Sequence, residues 1–125
     1  MMTIYKWENG GLKETSEFSP SCWINLAEPT TAELEQVLSF SKVPRDFLTD
    51  PLDREERPRF ENEDGVSLVI VHVPYPVRGD EDDETVLPYE TIPLGVVLFG
   101  QSVITICSQP TPVTAAFLDQ IRRVC

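Results

Sequence analysis

Two unbroken apolar runs place the strongest limit on how this chain folds. Leu68 to Val71 and Val96 to Phe99 each contain four consecutive apolar residues with no polar position among them. Runs of this kind are typical of short strands that are buried on both faces of a sheet. The turn-forming residues Asp64-Gly65 and Gly100-Gln101-Ser102 lie where antiparallel neighbours would be joined. We therefore expect a sheet that is covered on both sides.

Shorter patterns add further strands to this sheet. The chain opens with two strand-like segments around Glu8-Asn9-Gly10-Gly11, and the Asn-Gly pair supplies the positive φ angles that a tight hairpin requires. The strands predicted in addition to this hairpin, Thr3 to Trp7 and Leu12 to Glu14, are Cys22 to Leu26, Arg59 to Asn62, Ser67 to Val73, Glu90 to Phe99 and Val103 to Cys107.

Helix-start signals predict two helices after the third strand. Thr30-Thr31-Ala32-Glu33 matches a capping box, in which the Thr30 hydroxyl and the Glu33 carboxylate each accept a backbone N–H. The helix that follows extends to about Phe40. Pro44 suits the first position of a second, shorter helix, and Pro51 limits its length.

A last helix is predicted after Thr111-Pro112. Phe117, Leu118 and Ile121 form its apolar stripe, which continues to Cys125. Because no Gly or Pro stop signal follows, the stripe fits a chain that ends inside or soon after a longer helix.

Length and charge narrow the functional class. A chain of 125 residues fits one domain, and its formal net charge of −11 opposes binding to nucleic acid or to an anionic membrane surface. Cys22, Cys107 and Cys125 are odd in number and lack Cys-x-x-Cys spacing, which favours free thiols in a reducing compartment. No stretch reaches the roughly 20 apolar residues of a membrane-spanning helix. We expect this chain to be soluble and cytoplasmic.

The most acidic segment is Asp80-Glu81-Asp82-Asp83-Glu84. Carboxylate oxygens suit Mg²⁺ or Ca²⁺, but the segment lacks the ligand spacing of an EF-hand loop. Adjacent like charges also favour an extended, solvated segment. Two interpretations therefore remain open: a solvated loop and a weak cation sensor.

A second charged region, Asp50 to Glu61, mixes acidic and basic residues. Its three arginines, Arg54, Arg57 and Arg59, are able to make forked hydrogen bonds to Asp50, Asp53, Glu55 or Glu61. We interpret the region as a structural charge network. The alternative is a hydrolase that uses Asp50 and Asp53 as acid and base, but no neighbouring group in the sequence completes such a site.

The remaining reactive residues lack partners that would make a catalytic site. His72, the single histidine, ends an apolar strand and is interpreted as a locally hydrogen-bonded strand residue. Cys22 and Cys107 are interpreted as small core residues. Since nucleophile elbows, phosphate loops and dinucleotide fingerprints are also missing from the sequence, the residues indicate an acidic α/β domain and not an enzyme.

Several short sequence motifs occur in a characteristic order along the chain. They are Trp23-Ile24-Asn25-Leu26, Pro29-Thr30, Val43-Pro44-Arg45-Asp46-Phe47-Leu48, Asp50-Pro51-Leu52-Asp53, Glu56-Arg57-Pro58-Arg59-Phe60-Glu61, Leu68 to Pro74, Thr91-Ile92-Pro93-Leu94-Gly95-Val96-Val97 and Val103-Ile104-Thr105-Ile106. In this combination, over essentially the whole chain, the sequence resembles the N-terminal cytoplasmic domain of CorA-type magnesium and divalent-cation transporters.

The resemblance implies an α/β/α layered domain with a mixed, largely antiparallel central sheet. It also implies a place at the cytoplasmic face of the cell membrane, joined to a long helix and two membrane-spanning helices. Family members assemble as homopentamers, and cytoplasmic Mg²⁺ bound between neighbouring domains favours their closed state. The implied function is a regulatory and assembly domain that senses the divalent cation and gates the pore.

By the same resemblance, an acidic residue between two central strands contributes to the Mg²⁺ site between subunits. The corresponding region of this chain nominates Asp80, Asp82 and Asp83 as metal ligands, with Mg²⁺ as both transported and regulatory ion and no organic cofactor. Two alternatives stay open: a cobalt, nickel or zinc transporter of the same architecture, and a freestanding acidic protein-interaction module.

Overall fold

The computed structural model describes residues 1–76 and 89–124. Its strands are β1 (Met2–Glu8), β2 (Gly11–Thr15), β3 (Cys22–Ala27), β4 (Arg59–Glu63), β5 (Val66–Pro76), β6 (Tyr89–Phe99) and β7 (Ser102–Cys107). Its helices are α1 (Thr31–Ser41), α2 (Arg45–Thr49), a short 3₁₀ helix (Asp50–Leu52) and α3 (Pro112–Val124). The predicted order of elements is confirmed.

Within the described residues, seven strands form one mixed sheet in the order β2-β1-β3-β7-β6-β5-β4. Only β3 and β7 pair in parallel, and the other neighbours are antiparallel. The sheet is therefore mixed and largely antiparallel, as predicted. The β5–β6 hairpin is longer than predicted, because pairing continues past Val73 through Pro74, Tyr75 and Pro76.

One face of the sheet carries the main core. The register aligns Ile24 with Ile104 and Ile104 with Val97, so that three fully buried side chains lie side by side across β3, β7 and β6. Against them pack α1 and α2, whose Val37 and Phe47 are also fully buried. Burial stabilises a fold by about 25 cal/mol per Å² of apolar surface removed from water, and this layer holds the larger of the two clusters of buried residues.

The opposite face carries α3. Val113 packs against a second, smaller cluster of buried residues, Val73, Ile92, Leu94 and Cys107. The rings of Trp23 and Phe117 meet in a T-shaped arrangement, with a centroid distance of 5.4 Å and an interplanar angle of 85°. Helices thus lie on both faces of the sheet, which confirms the expected α/β/α layering.

The start of α1 follows the predicted capping box. The backbone N–H of Glu33 donates to the Thr30 hydroxyl at 3.1 Å, and the backbone N–H of Thr30 donates to the Glu33 carboxylate at 2.9 Å. Lys42 follows the last helical residue, Ser41, as the C-cap, and its φ of 57° lies in the left-handed region. Pro44 caps α2 and is not its first residue, so the predicted start is one position early.

Candidate functional site

The long β5–β6 hairpin leads to the region that the sequence nominates for cation binding. Its strands pair as far as Tyr75 with Glu90 and Pro76 with Tyr89, and residues 77–88 connect them. Asp80, Asp82 and Asp83 lie outside the described residues, and their role as metal ligands stays a prediction. The described residues closest to this connection are those at the end of β5 and the start of β6.

The cationic side chain of Arg54 lies beside the end of β5. The guanidinium carbon of Arg54 is 5.7 Å from the centroid of the Tyr75 ring, within range of a cation–π interaction. The sequence predicts Arg54 as a candidate partner for carboxylates. In the described residues it makes no ion pair, and its contact is with an aromatic face.

Arg59 is the centre of the predicted charge network. Its Nη2 donates to Oδ2 of Asp50 at 2.7 Å, its Nε donates to Oε2 of Glu61 at 3.3 Å, and its Nη1 donates to Glu56. Burial by itself lowers the pKa of Arg59, but the hydrogen bonds to Asp50 and Glu61 outweigh it and raise that pKa above its ordinary value. The guanidinium thus stays charged and joins three carboxylates.

This network joins separate parts of the chain. Asp50 begins the 3₁₀ helix, whereas Arg59 and Glu61 lie on the edge strand β4, so the ion pairs fasten that helix to the sheet. The network was predicted, but Glu56 was missed among its acids. The position of Glu56 three residues before Arg59 is the sequence signal that indicates this ion pair. Arg57 makes no ion pair within the described ranges.

Asp50 and Asp53 have structural partners. Asp50 is held by Arg59, and Oδ1 of Asp53 accepts the backbone N–H of Glu55 at 2.9 Å, which closes a local turn. A general base must reach the proton of a substrate, and both carboxylates already accept hydrogen bonds from the protein. The geometry gives no support to the hydrolase alternative that names this pair.

His72 lies on β5 near the same network. Its Nε2 is 2.8 Å from the backbone carbonyl oxygen of Glu56, and because a carbonyl only accepts, Nε2 carries the proton. The ring is exposed. His72 is a hydrogen-bonded strand residue, as predicted, but the expectation of a local partner is wrong, because Glu56 lies 16 residues away in sequence.

Two of the three cysteines are described, and both are buried free thiols. Sγ of Cys107 lies 3.3 Å from the carbonyl oxygen of Pro93, and burial raises the pKa of this thiol. A protonated, buried thiol is a poor nucleophile. The interpretation of Cys22 and Cys107 as core residues is confirmed, whereas Cys125 lies outside the described residues.

No group of three or more His, Cys, Asp or Glu side chains within residues 1–76 and 89–124 is placed to hold a metal ion. Among the helices of these same residues, none combines the length and apolar character needed to cross a membrane. The described surface thus contains a charge network with structural roles, centred on Arg59 opposite Ile70 of β5.

Comparison with protein families identifies the chain. The model of the family described as "CorA-like Mg2+ transporter protein" matches residues 19–124. This chain belongs to the CorA-like Mg²⁺ transporter family. The resemblance to CorA-type transporters, which motifs such as Trp23 to Leu26 and Val43 to Leu48 indicate, is therefore confirmed. A comparison with curated proteins found no match.

Solved structures share the CorA fold. The complete CorA magnesium transporter of Methanocaldococcus jannaschii matches with a TM-score of 0.74 and 21% identity, over 97% of this chain and 36% of that one. The soluble domain of the same CorA matches with a TM-score of 0.73 and 21% identity, over 97% and 46%. The ZntB cytoplasmic domain of Vibrio parahaemolyticus matches with a TM-score of 0.66 and 16% identity, over 96% and 50%.

These likenesses establish the fold of this CorA-family chain. The chain spans from 36% to 50% of the length of these three structures. The matching residues therefore correspond to a part of each of those proteins. The shared fold does not by itself establish that this chain transports the same ions or assembles in the same way as those larger proteins.

Proposed function

We propose that residues 1–125 form one cytoplasmic regulatory and assembly domain of a CorA-like divalent-cation transporter. The observation that carries this proposal is the family match over residues 19–124. The agreement of the sheet and its helical layers with the CorA soluble domain over 97% of this chain supports it. The likeness to a ZntB domain described as cytoplasmic supports the placement at the cytoplasmic face of the membrane.

The proposed regulation uses the acidic segment between β5 and β6. Asp80, Asp82 and Asp83 would face carboxylates of a neighbouring copy in a homopentamer. Unoccupied carboxylates repel each other across such a boundary, and a bound Mg²⁺ replaces the repulsion by bridging. Because the ion binds better to the bridged arrangement, it shifts the population toward the closed state.

The proposed ion is Mg²⁺, for which the family is described. Cobalt, nickel or zinc transport by the same architecture is the close alternative, and the fold does not discriminate between these ions, since the CorA and ZntB structures both match. A freestanding acidic interaction module is the alternative from another class. It predicts a stable monomer that does not associate with membranes.

The test is a Mg²⁺ titration of the full-length gene product in proteoliposomes, followed by ion flux and by protease protection. Asp80, Asp82 and Asp83 are changed together to Ala. We expect millimolar Mg²⁺ to protect the wild type and to suppress flux, and the triple change to weaken both responses. Parallel flux measurements with Co²⁺, Ni²⁺ and Zn²⁺ identify the transported ion.

A matched control removes the same charge elsewhere. Glu14, Glu17 and Glu63 are exposed, and their simultaneous change to Ala leaves the acidic segment intact. We expect this control to respond to Mg²⁺ as the wild type does. Equal responses of all three proteins would refute sensing by the segment. Native mass spectrometry of the same samples tests the pentamer, and a soluble monomer without flux would favour the interaction module.

A further inference from the structure

The α-amino group of the chain lies among three oxygen atoms of the described residues. The nitrogen of Met1 donates to the carbonyl oxygen of Ala27 at 2.5 Å and to that of Glu28 at 3.1 Å. Oε1 of Glu33 is the third oxygen, 3.1 Å from the same nitrogen. An ammonium group has three N–H donors and no acceptor. The number of oxygens in this ammonium site therefore equals the number of N–H groups that it receives.

The ammonium site joins separate elements of the fold. Met1 precedes β1, Ala27 ends β3, and Glu33 lies in the first turn of α1. The backbone N–H of Ala27 also donates to the carbonyl oxygen of Met1 at 2.9 Å, which extends the pairing of Met2 with Leu26 by one position. The α-amino group thus connects the strand pair of β1 and β3 to the start of a helix that packs on the main core.

Contacts with other residues position two of these oxygens. Glu28 has a φ of 46°, in the left-handed region, and its backbone N–H donates to the carbonyl oxygen of Cys107 at 3.0 Å. A residue other than glycine in that region costs free energy, so the surrounding fold holds the turn that directs the Glu28 carbonyl toward Met1. Oε1 of Glu33 also accepts the backbone N–H of Thr30 at 2.9 Å. The hydrogen bond from Thr30, together with the ammonium, lowers the pKa of Glu33 against the opposing influence of burial, which keeps the carboxylate charged at neutral pH.

An acylated α-amino group does not fit the ammonium site. An acyl group turns the ammonium into a neutral amide, which has one N–H in place of three and carries no positive charge. One N–H serves only one of the three oxygens, so two of them lose their donor and the Glu33 carboxylate loses its cation. The acyl carbonyl also adds a fourth acceptor to a place that already contains three. Formyl and acetyl groups share these properties.

We propose that the ammonium site makes the free α-amino group of Met1 a part of the fold, and that a formyl or acetyl group on this nitrogen detaches the chain start from Ala27 and α1. The domain thereby distinguishes a free chain start from an acylated one. The difference reaches α1, because Glu33 belongs both to the ammonium site and to the cap of that helix. This inference concerns the domain itself and does not rest on the proposed transport function.

Native chemical ligation at Cys22 allows a test that changes only this group. A synthetic peptide of residues 1–21 is joined to an expressed chain of residues 22–125, and the 125-residue sequence is unaltered. Three forms are compared by urea denaturation: the free amine, an N-acetyl form, and a des-amino form in which hydrogen replaces the ammonium of Met1. We expect the unfolding equilibrium constant to be about tenfold larger in both modified forms, because hydrogen bonds of a charged group are lost.

The des-amino form separates the loss of the ammonium from crowding, because it adds no atoms. Equal stability of the free form and either modified form would overturn the proposal. Hydrogen exchange then locates the change. The Ala27 amide, which donates to the carbonyl oxygen of Met1, should exchange about tenfold faster in both modified forms, as a locally opened strand end does. The Lys42 amide at the opposite end of α1 is the control and should exchange equally in all three forms. Unchanged exchange at Ala27 would contradict detachment of the chain start.

A double-mutant cycle tests the part that Glu33 plays. In a ligated chain with Glu33→Gln, the des-amino and free forms should differ in their unfolding constant by only about threefold, because the side chain no longer carries the charge that the ammonium meets. The matched control is Glu35→Gln on the same helix, whose carboxylate accepts from Nη1 of Arg45 at 2.6 Å. It should keep the full difference of about tenfold. Equal factors in the two variants would refute Glu33 as the third oxygen of the ammonium site and would overturn the proposed link to α1.

Discussion

Gly95 on β6 lies so close to Pro51 that a Cβ atom at position 95 would be 2.5 Å from Cγ of the proline ring and 2.8 Å from its Cβ. The fully buried Pro51 belongs to the 3₁₀ helix, which therefore rests directly on the backbone of the strand. Ile106 closes the same space from β7, with its Cγ2 at 2.9 Å from that position. Glycine is required at this position by space and not by an unusual φ angle.

The first prediction follows from this contact. Gly95→Ala should lower the free energy of unfolding by about 1–3 kcal/mol, the range for overpacked cores, because a proline ring cannot rotate away from the added methyl group. Urea denaturation measures the change. Gly11→Ala is the matched control, since no atom lies within 4 Å of its added methyl group. Similar losses in both variants would contradict the steric explanation.

The second prediction concerns the hydrogen bond between Trp23 and Thr105. Thr105→Val removes the acceptor of the buried indole N–H and the donor to Asn25, and it should cost about 1–3 kcal/mol of unfolding free energy. Thr105→Ser keeps the hydroxyl and should retain most of the stability. Thermal unfolding provides the comparison, and an unchanged stability of the valine variant would show that this bond contributes little.

The third prediction concerns the acid response of the α1 cap. The hydrogen bond from the Thr30 backbone N–H lowers the pKa of Glu33 below its ordinary value of 4.5, and the nearby Met1 ammonium adds to this effect against the opposing influence of burial. A carboxylate whose pKa is lower in the folded state stabilises the fold above its unfolded pKa. That contribution disappears as pH falls through the folded value.

Glu33→Gln should therefore be less stable than the wild type near neutral pH, and the difference should shrink as pH falls below 4.5. Urea unfolding at a series of pH values measures this convergence. Glu63→Gln, which removes an equal charge from an exposed position on β4, is the control. A constant difference between wild type and Glu33→Gln across the series would exclude linkage through this carboxylate.

The fourth prediction concerns Arg59. Arg59→Gln leaves Asp50, Glu56 and Glu61 without their shared cation and should lower the free energy of unfolding by about 1–3 kcal/mol at low salt. Because the Arg59 side chain is 30% exposed, added NaCl should narrow the difference from the wild type. Arg57→Gln, which removes a charge outside the network, should have a smaller effect. Equal effects would contradict the assignment of Arg59 as the centre.

The features that the sequence predicts correctly are those determined by neighbouring residues. The Thr30–Glu33 cap depends on two side chains three positions apart, and the first hairpin depends on the φ preferences of Asn9 and Gly10. Strand positions follow from apolar runs such as Leu68 to Val71. These signals are local, so they do not depend on the order of the strands in the sheet.

The features that were missed depend on tertiary contacts. Three arginines in one segment have the same chemistry, and only the fold selects Arg59 by placing it beside Asp50. Likewise, the stripe on α3 predicts a helix that packs on the sheet but not the contact of Phe117 with Trp23. Asp80, Asp82 and Asp83 lie outside the described residues, and their role as metal ligands stays a prediction.

The parallel pairing of β3 with β7 has a consequence for synthesis on the ribosome. Trp23 lies opposite Val103, 80 residues later in the chain, and β7 is also the partner of β6. The strand β7 joins the group β2-β1-β3 to the group β6-β5-β4. Until residues 102–107 have emerged from the ribosome, these two groups of strands are not connected in one sheet. Such distant pairing slows folding and leaves strand edges open in the meantime. A nascent chain that stalls before Ser102 should therefore depend on chaperones to stay soluble.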